Sequence, residues 1–263
     1  MEDYIVYSIV LIYGILIGSF LNVCIYRIPE ELSIVTERSH CMNCNTKLKW
    51  YELVPVFSYI FQLGRCRTCK SRISIQYPIV EALNGVMYVL VFYFYGWDSI
   101  YALLLSVVYS LTISALIVLS VIDFRTNIIP SGINIFLLVM GLLAVMIKYF
   151  ESGRGTDIVW DHTVGFFVIS IFLLLIFYAT KGRAIGGGDI KLMASAGLLL
   201  GWELVILAFF IGCIMAAIIH PLRMRISNIG RSLAFGPYLS VGIVLSLFFG
   251  KQMIMWYIEK FFI

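Results

Sequence analysis

Long stretches without charged residues dominate the pattern of polar and apolar positions along the chain. Six stretches of at least 19 residues contain no Asp, Glu, Lys or Arg, and a seventh is interrupted only by Glu81. A helix needs about 20 apolar residues to cross the hydrocarbon core of a bilayer. The runs are continuous rather than alternating, which favours helices over barrel strands. The pattern predicts seven membrane-spanning helices, within 4–26, 73–97, 99–122, 126–147, 162–180, 204–222 and 232–250.

An eighth apolar segment, 184–202, has a different character from the other seven. It is long enough to cross the membrane only if Asp189 and Lys191 enter the bilayer. The fold class we expect is therefore an all-α polytopic membrane protein with about eight transmembrane helices. Seven and eight spans both remain open at this point.

The composition agrees with a protein whose solvent is lipid. Of the 263 residues, 61% are hydrophobic and 13% are charged, and the mean hydropathy is +0.97. About a quarter of the residues in a soluble domain are charged. Even a compact 300-residue fold exposes about a quarter of its unfolded-chain surface, so it could not hide this much apolar area from water. The composition excludes an ordinary soluble enzyme, a disordered chain and a disulfide-rich secreted scaffold.

Basic residues in the loops predict the orientation, because Lys and Arg concentrate on the cytoplasmic side of membrane proteins. With eight spans and the N-terminus outside, 15 of the 19 Lys and Arg residues lie inside, and with seven spans 14 do. The count places the long loop 28–76 in the cytoplasm but barely separates seven spans from eight. The net charge of +4 follows from this asymmetry, so we expect the lipid bilayer and no nucleic acid as a partner.

The loop 28–76 is the only connection long enough to form a domain. We therefore divide the chain into a first transmembrane helix (1–27), a loop domain (28–76) and a transmembrane core (77–263). The loop holds two Cys-x-x-Cys pairs separated by 21 residues. Four thiolates at this spacing can bind a structural zinc ion, and they leave no open position for catalysis. The predicted ligands are Cys41, Cys44, Cys66 and Cys69.

Disulfide bonds between these cysteines are disfavoured because the cytoplasmic side is reducing. A loop of this size has few residues for a core, so a metal would supply most of its folding free energy. Four unliganded thiols in a flexible loop remain the alternative.

Three acidic residues, Glu81, Asp123 and Asp189, fall near the predicted cytoplasmic ends of the spans. A charged residue at mid-bilayer costs about 2.5 to 3.5 kcal/mol on insertion scales, and such residues usually serve a function. Two carboxyl groups that share a proton can activate water and protonate a leaving amine, as in aspartic proteases. Ion or proton translocation remains an alternative, as does structural pairing of Asp123 with Arg125 and of Asp189 with Lys191.

A glycine triplet, Gly186 to Gly188, directly precedes Asp189. Consecutive glycines weaken a helix and let another backbone approach closely. A broken helix at membrane depth is tolerated where it lines a water-filled cavity. The triplet therefore predicts an opening through which an extended peptide reaches the carboxyl group.

An ordered set of short motifs runs along nearly the whole chain. The segments are 18–29 (GSFLNVCIYRIP), the two cysteine pairs, 64–66 (GRC), 75–81 (IQYPIVE), 122–130 with Asp123 and Pro130, 186–192 (GGGDIKL) and 235–238 (FGPY). In this order they resemble the motifs of the type IV prepilin peptidases, a family of GxGD-type intramembrane aspartic proteases. Two departures are a serine, Ser131, after the proline of the first aspartate motif, and a first cysteine pair without proline. We expect Ser131 to cap the following helix through its hydroxyl group.

The resemblance implies a bifunctional enzyme of the bacterial cell membrane with Asp123 and Asp189 as its catalytic pair. Members of the family cut the basic leader of type IV prepilins, and of pseudopilins of type II secretion, after a glycine on the cytoplasmic side. Full-length members then methylate the new N-terminal amine with S-adenosyl-L-methionine. A member that only cleaves is the nearest alternative, although such relatives generally lack the cysteine loop. A transporter that uses the same aspartates is a more distant one.

Several further residues receive supporting roles. The resemblance alone suggests the methyl-donor region, which we expect near Gly64 and Arg65. Glu81 either shapes the mouth of the site or contacts substrate, or else it makes a hydrogen bond at a helix start. Lys191 either holds a charge near the second aspartate or extends to the interface. Gly186 and Gly188 are expected to keep the approach to that aspartate open. The histidines His40, His162 and His220 receive no chemical role.

Overall fold

The computed structural model describes residues 2–36, 38–153, 155–227 and 233–261, and this part of the protein is almost entirely helical. Its only β structure is a pair of isolated bridges between the first two spans. The all-α prediction is therefore confirmed. The elements are α1 (Glu2–Arg27), a 3-10 turn (Trp50–Glu52), α2 (Phe57–Phe61), α3 (Gln76–Tyr95), α4 (Ile100–Thr126), α5 (Ser131–Glu151), α6 (Thr156–Ala179), α7 (Gly187–Leu200), α8 (Trp202–Ser227) and α9 (Gly236–Phe261).

Seven of the described helices are long and apolar enough to cross a membrane: α1, α3, α4, α5, α6, α8 and α9. They coincide with the seven spans predicted from the charge-free stretches, so the protein is a multi-pass membrane protein. Two residues that entered the charge count, Arg154 and Arg231, lie outside the described residues.

The anomalous eighth segment forms α7, which has 14 residues. At 1.5 Å per residue it is about 21 Å long, whereas the hydrocarbon core of a bilayer is about 30 Å thick. Nine of its residues are buried, because α7 packs against α5, α6 and α8. It is an interior helix of the bundle.

The chain forms two compact units, Met1–Gly96 and Trp97–Ile263. In the first unit, α1 and α3 pack so closely that a Cβ atom built on Gly14 would lie 2.7 Å from the Cα atom of Gly85. Small residues permit this approach between membrane helices. Asn84 of α3 also donates a hydrogen bond of 2.7 Å to the carbonyl oxygen of Gly14. Packing and a buried polar contact together hold this pair.

In the second unit, α4 is the most buried of the spans, with 67% of its most apolar window inside the protein. It packs against α5 and α9. The helix ends where Asn127 adopts a left-handed conformation (φ 54°) and its N–H donates to the carbonyl oxygen of Asp123 at 2.8 Å. This ending places Asp123 in the last turn of α4.

The start of α5 differs from the sequence prediction. Pro130 occupies the N-cap position, Ser131 is the first helical residue, and no side-chain cap is formed. The prediction that Ser131 caps this helix is wrong, because a capping hydroxyl must precede the first turn.

Candidate active site and metal centre

Asp123 is buried at the end of α4, with 4% of its surface exposed. Its Oδ2 atom accepts a hydrogen bond of 2.8 Å from the backbone N–H of Gly236, the first residue of α9. The first N–H groups of a helix lack intrahelical partners and favour negative charge. A Cβ atom on Gly236 would lie 2.8 Å from the same Oδ2 atom. A side chain at position 236 would therefore displace the carboxyl group of Asp123 from this place.

Asp189 is buried in the first turn of α7. Its backbone N–H donates to the carbonyl oxygen of Gly186 at 3.2 Å. Gly186 is the extended N-cap residue of α7, and this bond closes the first turn. The Oδ1 atom of Asp189 is buried without a hydrogen-bond partner. An unpaired buried carboxylate oxygen is costly, and it is therefore well suited to receive a proton, water or substrate.

The two aspartates meet inside one helical unit. Asp123 comes from α4 and Asp189 from α7, and they are close enough for their carboxylates to repel each other. In a low-dielectric site two such groups share a proton. The arrangement can therefore present one ionised and one protonated carboxyl group, as general acid–base catalysis of peptide hydrolysis requires.

The four cysteines of the loop also come together. Their sulfur atoms all lie within 4.8 Å of one another, with Sγ–Sγ distances of 3.8 Å for Cys41 to Cys69 and 4.0 Å for Cys44 to Cys66. Tetrahedral zinc with bonds of about 2.3 Å requires sulfur atoms about 3.8 Å apart. The cluster can therefore hold a metal ion.

Hydrogen bonds favour the thiolate form of two members of this cluster, Cys69 and Cys41. The hydroxyl and backbone N–H groups of Ser71 lower the pKa of Cys69 to about 5. Backbone N–H groups of Cys44 and Asn43 lower the pKa of Cys41. Because the thiolate is the form that binds metal, these bonds prepare the cluster for a cation.

Comparisons with known proteins agree with this geometry. Residues 12–95 match the model of the Bacterial Peptidase A24 N-terminal domain. Residues 110–220 match the model of the Type IV leader peptidase family. The chain belongs to the type IV leader peptidase family. This confirms the resemblance that the ordered motifs indicated.

Relatives in this family align with the chain over nearly its full length. A prepilin leader peptidase/N-methyltransferase of Bacillus subtilis (strain 168) is 33% identical over 254 residues, which cover 96% of this chain and 98% of the relative. Proteins of the same name from Pectobacterium carotovorum and Legionella pneumophila are 32% and 30% identical, covering 89% and 96% of this chain and 90% and 94% of the relatives. No solved structure gives a significant match.

The other residues predicted beside the second aspartate, Gly186, Gly188 and Lys191, lie in different environments. Gly186 is exposed in the segment before α7, and Gly188 packs against Ile129. Lys191 is exposed. Among the described residues no ion pair joins it to Asp189. Structural pairing of these two charges therefore does not account for the buried aspartate.

Glu81 lies in the first unit, on α3. Its Oε2 atom accepts a hydrogen bond of 2.7 Å from the backbone N–H of Val56, and Ser19 provides a second hydrogen bond. Val56 is the N-cap residue of α2. Glu81 therefore makes a hydrogen bond at a helix start, and its contact with substrate stays a prediction.

Gly64 and Arg65 follow α2 and lead into the second cysteine pair. Gly64 has a positive φ of 64°, and its N–H donates to the carbonyl oxygen of Tyr59 at 2.9 Å. A Cβ atom there would lie 2.9 Å from the Tyr59 hydroxyl. Gly64 is therefore a turn residue packed by Tyr59, whereas Arg65 is exposed and available to a ligand.

Sequence reasoning missed the role of Asn134. This residue of α5 is 3% exposed and donates from Nδ2 to the carbonyl oxygen of Gly188 at 3.3 Å. The backbone carbonyl oxygen of Asn134 accepts a hydrogen bond of 3.3 Å from the hydroxyl group of Ser195 on α7. It joins α5 to the helix that carries Asp189. An amide inside an otherwise apolar span was the available signal.

Proposed function

We propose that the protein removes the leader peptides of type IV prepilins or pseudopilins and then N-methylates the new N-terminal residue. The names of the relatives, prepilin leader peptidase/N-methyltransferase, support both activities. The observation that carries the proposal is the convergence of Asp123 and Asp189, both buried in one helical unit. These two aspartates are the proposed catalytic pair.

The pair hydrolyses the peptide bond through a bound water. The ionised carboxylate removes a proton from water while the water oxygen bonds to the scissile carbonyl carbon. The protonated carboxyl group gives its proton to the leaving nitrogen as the C–N bond breaks. The hydrogen bond from Gly236 to Asp123 holds one carboxyl group in place through both steps. Transfer of the retained proton between the pair restores the starting state.

Two exposed glycines at the start of α7, its N-cap Gly186 and its first residue Gly187, give the substrate its route. Gly186 and Gly187 are exposed, and no atom lies within 4 Å of a Cβ atom built on Gly187. An extended peptide can therefore approach the backbone next to buried Asp189. The scissile bond of a prepilin precedes a hydrophobic helix, which would remain in the lipid while the leader lies at this surface.

Gly188→Ala tests how tightly α7 must fit. Its new Cβ would lie 2.8 Å from Cβ of Ile129, so α7 would have to shift next to Asp189. We expect kcat for leader cleavage to fall about tenfold, because small misplacements of catalytic groups are costly. Gly132→Ala is the matched control, since nothing lies within 4 Å of its Cβ position. Equal activity of the two purified variants in a cleavage assay would contradict the expected fit.

The experiment that tests the proposed function uses purified protein and synthetic prepilin. Mass spectrometry of the product, with and without S-adenosyl-L-methionine, distinguishes leader removal from methylation of the new amine. Cleavage with a mass gain of one methyl group only in the presence of the donor is the expected result. Cleavage without methylation would identify a peptidase-only member, and no cleavage would refute the proposal.

The four-cysteine cluster is proposed to hold zinc in a structural role. Thiolate sulfur is a preferred zinc ligand, and the sulfur separations fit a tetrahedral site. Four protein ligands would leave no coordination position for water or substrate. When bound, zinc would cross-link the two Cys-x-x-Cys turns and take no part in peptide hydrolysis.

Arg65 is proposed to contribute to the methyl-donor site. It is exposed directly before a metal-cluster cysteine, and a guanidinium group pairs well with the carboxylate of an amino-acid ligand. Arg65→Gln is expected to raise the KM for S-adenosyl-L-methionine at least about fivefold and to leave leader cleavage near the parental rate. The exposed Arg72→Gln is the control. An unchanged KM in a methylation assay would remove Arg65 from the site.

The protein is proposed to lie in the bacterial plasma membrane with its N-terminus outside and the cysteine loop in the cytoplasm. The excess of Lys and Arg in the loops assigned to the inside supports this orientation. Reporter fusions after the loop 28–76 and at the C-terminus would test it. A periplasmic reporter active at the loop fusion would contradict it.

A further inference from the structure

A buried polar cluster lies at the C-terminal end of α7. His162 of α6 is 3% exposed, and its Nδ1 atom lies 2.8 Å from the carbonyl oxygen of Leu198. Lys148 of α5 donates from Nζ to the carbonyl oxygen of Leu199 at 3.5 Å and lies 3.3 Å from His162 Nε2. Because a carbonyl oxygen only accepts, Nδ1 carries the proton and Nε2 accepts from the lysine.

These bonds satisfy carbonyl groups that a helix leaves without partners at its end. The last four carbonyl oxygens of a helix have no intrahelical donor. In α7 one of them, that of Gly197, accepts from the N–H of Gly201 at 2.9 Å. His162 donates to the next one, that of Leu198, and Lys148 donates to that of Leu199. A cationic side chain is also favourable at this negative end of the helix dipole. The two side chains together form a cap on α7.

Placing Lys148 and His162 inside the protein costs desolvation free energy, which a pair of apolar residues would avoid. Polar and ionisable side chains within a membrane protein's spans are expensive unless they have partners. Here the ammonium group of Lys148 lies 5.9 Å from the centre of the Tyr109 ring. His162 Nε2 lies 3.9 Å from the carboxylate of Asp161, which is partly exposed. The hydrogen bonds of His162 and Lys148 to the carbonyl oxygens of α7 offset this cost.

The helix that receives the cap has little support from its own chain. It is preceded by the extended Gly186 and followed by Gly201, whose φ is +90°. Glycine permits more backbone conformations than other residues. The position of α7 along its axis therefore depends on side contacts from α5 and α6.

We propose that Lys148 and His162 are positioning residues that fix α7 along its axis and thereby set the place of Asp189 relative to Asp123. This inference rests on the proposed function, in which Asp189 is catalytic. A shift of α7 at the cap changes the separation of the two carboxyl groups, because Asp123 belongs to a different helix.

The helix transmits the position of its capped end to its catalytic end. Leu198 and Asp189 are nine residues apart on α7, a distance of about 14 Å at 1.5 Å per residue. A regular helix moves as one body over this length. A misplacement of about 1 Å can cost about 100-fold in rate, so a modest axial shift would be visible in kcat.

Two substitutions of His162 separate the cap from general packing. The amide nitrogen of Asn can occupy the place of Nδ1 and bond Leu198, whereas the amide of Gln reaches the place of Nε2. We expect His162→Gln to lower kcat for prepilin cleavage at least about tenfold, with KM within about twofold of the parent. We expect His162→Asn to restore kcat to within about threefold of the parent.

A second measurement reads the position of α7 without turnover. Asp189→Cys places a thiol at a site that is 9% exposed, and its reaction with a maleimide is measured by the mass of the peptide that contains residue 189. In the absence of substrate we expect labelling to be at least about fivefold faster when His162→Gln is also present. Adding His162→Asn instead should leave the rate near that of Asp189→Cys alone.

The outcomes decide the proposal and separate it from the assignment of the catalytic pair. Unchanged kcat in His162→Gln, equal losses in the Gln and Asn variants, or unchanged labelling would overturn the cap. If Asp189→Asn still cleaved prepilin, the catalytic assignment would fail while labelling still reported the cap. If His162→Gln does not accumulate, kcat for prepilin cleavage is compared between Lys148→Met, which removes the donor, and Lys148→Arg, which keeps one. A kcat loss restricted to Met supports the cap, and equal losses overturn it.

Discussion

Replacing Asp123 or Asp189 by Asn is expected to abolish leader cleavage while the protein still inserts and accumulates normally. Loss of general acid–base transfer costs roughly 10²- to 10⁴-fold in rate. Each variant loses a step that the remaining carboxyl group cannot supply alone. Asn has nearly the same shape as Asp, and at position 123 its oxygen can still accept the hydrogen bond from Gly236. It cannot bind and release the proton. The measurement is the initial rate of leader removal by purified variants.

Asp98→Asn is the matched control for these two substitutions. Asp98 is exposed between α3 and α4, so the same chemical change should leave the rate near that of the parent. Activity comparable with the parent in either Asp123→Asn or Asp189→Asn would remove that residue from the catalytic pair. Methylation of a synthetic, already cleaved pilin should survive both substitutions, because it does not use the aspartates.

Replacing Cys66 by Ser is expected to release the metal and unfold the loop that it organises. Cys66 is 5% exposed and is the most buried of the four cysteines. Structural zinc contributes about 10 to 16 kcal/mol to the folding of small zinc domains. Loss of one thiolate ligand should therefore loosen both cysteine turns. The measurements are the zinc content per chain by elemental analysis and the protease sensitivity of residues 28–76.

Cys213→Ser provides the control for the metal site, since Cys213 lies on α8 outside the loop. It should retain one zinc ion per chain. We expect methylation to fall more than cleavage in Cys66→Ser, because Arg65 belongs to the loop and the aspartates belong to α4 and α7. Active, freshly purified parent protein without zinc would contradict the proposed metal site.

The spans and the candidate ligands could be predicted from the sequence because both depend on local information. Hydropathy over about 20 residues decides whether a helix is stable across a bilayer, and the structure confirms the seven predicted spans. The two Cys-x-x-Cys pairs similarly identify the candidate ligands, whereas the contacts of Cys41 with Cys69 and of Cys44 with Cys66 are made only in the fold. Local information gave a wrong prediction at Ser131, because Pro130 is the N-cap residue of α5 and Ser131 is its first helical residue.

Three acidic residues looked alike in the sequence, and only the tertiary structure separates them. Glu81 bonds the backbone of Val56 in the first unit, whereas Asp123 and Asp189 meet in the second. The sequence does not reveal this difference, because the contacts that distinguish the three residues join positions far apart along the chain. The bond that holds Asp123 comes from Gly236, 113 residues away. Helix packing, which hydropathy does not encode, decides such contacts.

By itself the sequence determined that this is a multi-pass membrane protein with a four-cysteine loop and a small set of acidic candidates. The tertiary structure decided that α7 is a short interior helix and that its ends are held by particular side chains. His162 had no role in the sequence reading, yet it bonds the carbonyl oxygen of Leu198 from another helix. Apolar periodicity specifies that a helix forms. The side chains that satisfy its ends are specified only when neighbouring helices pack against it.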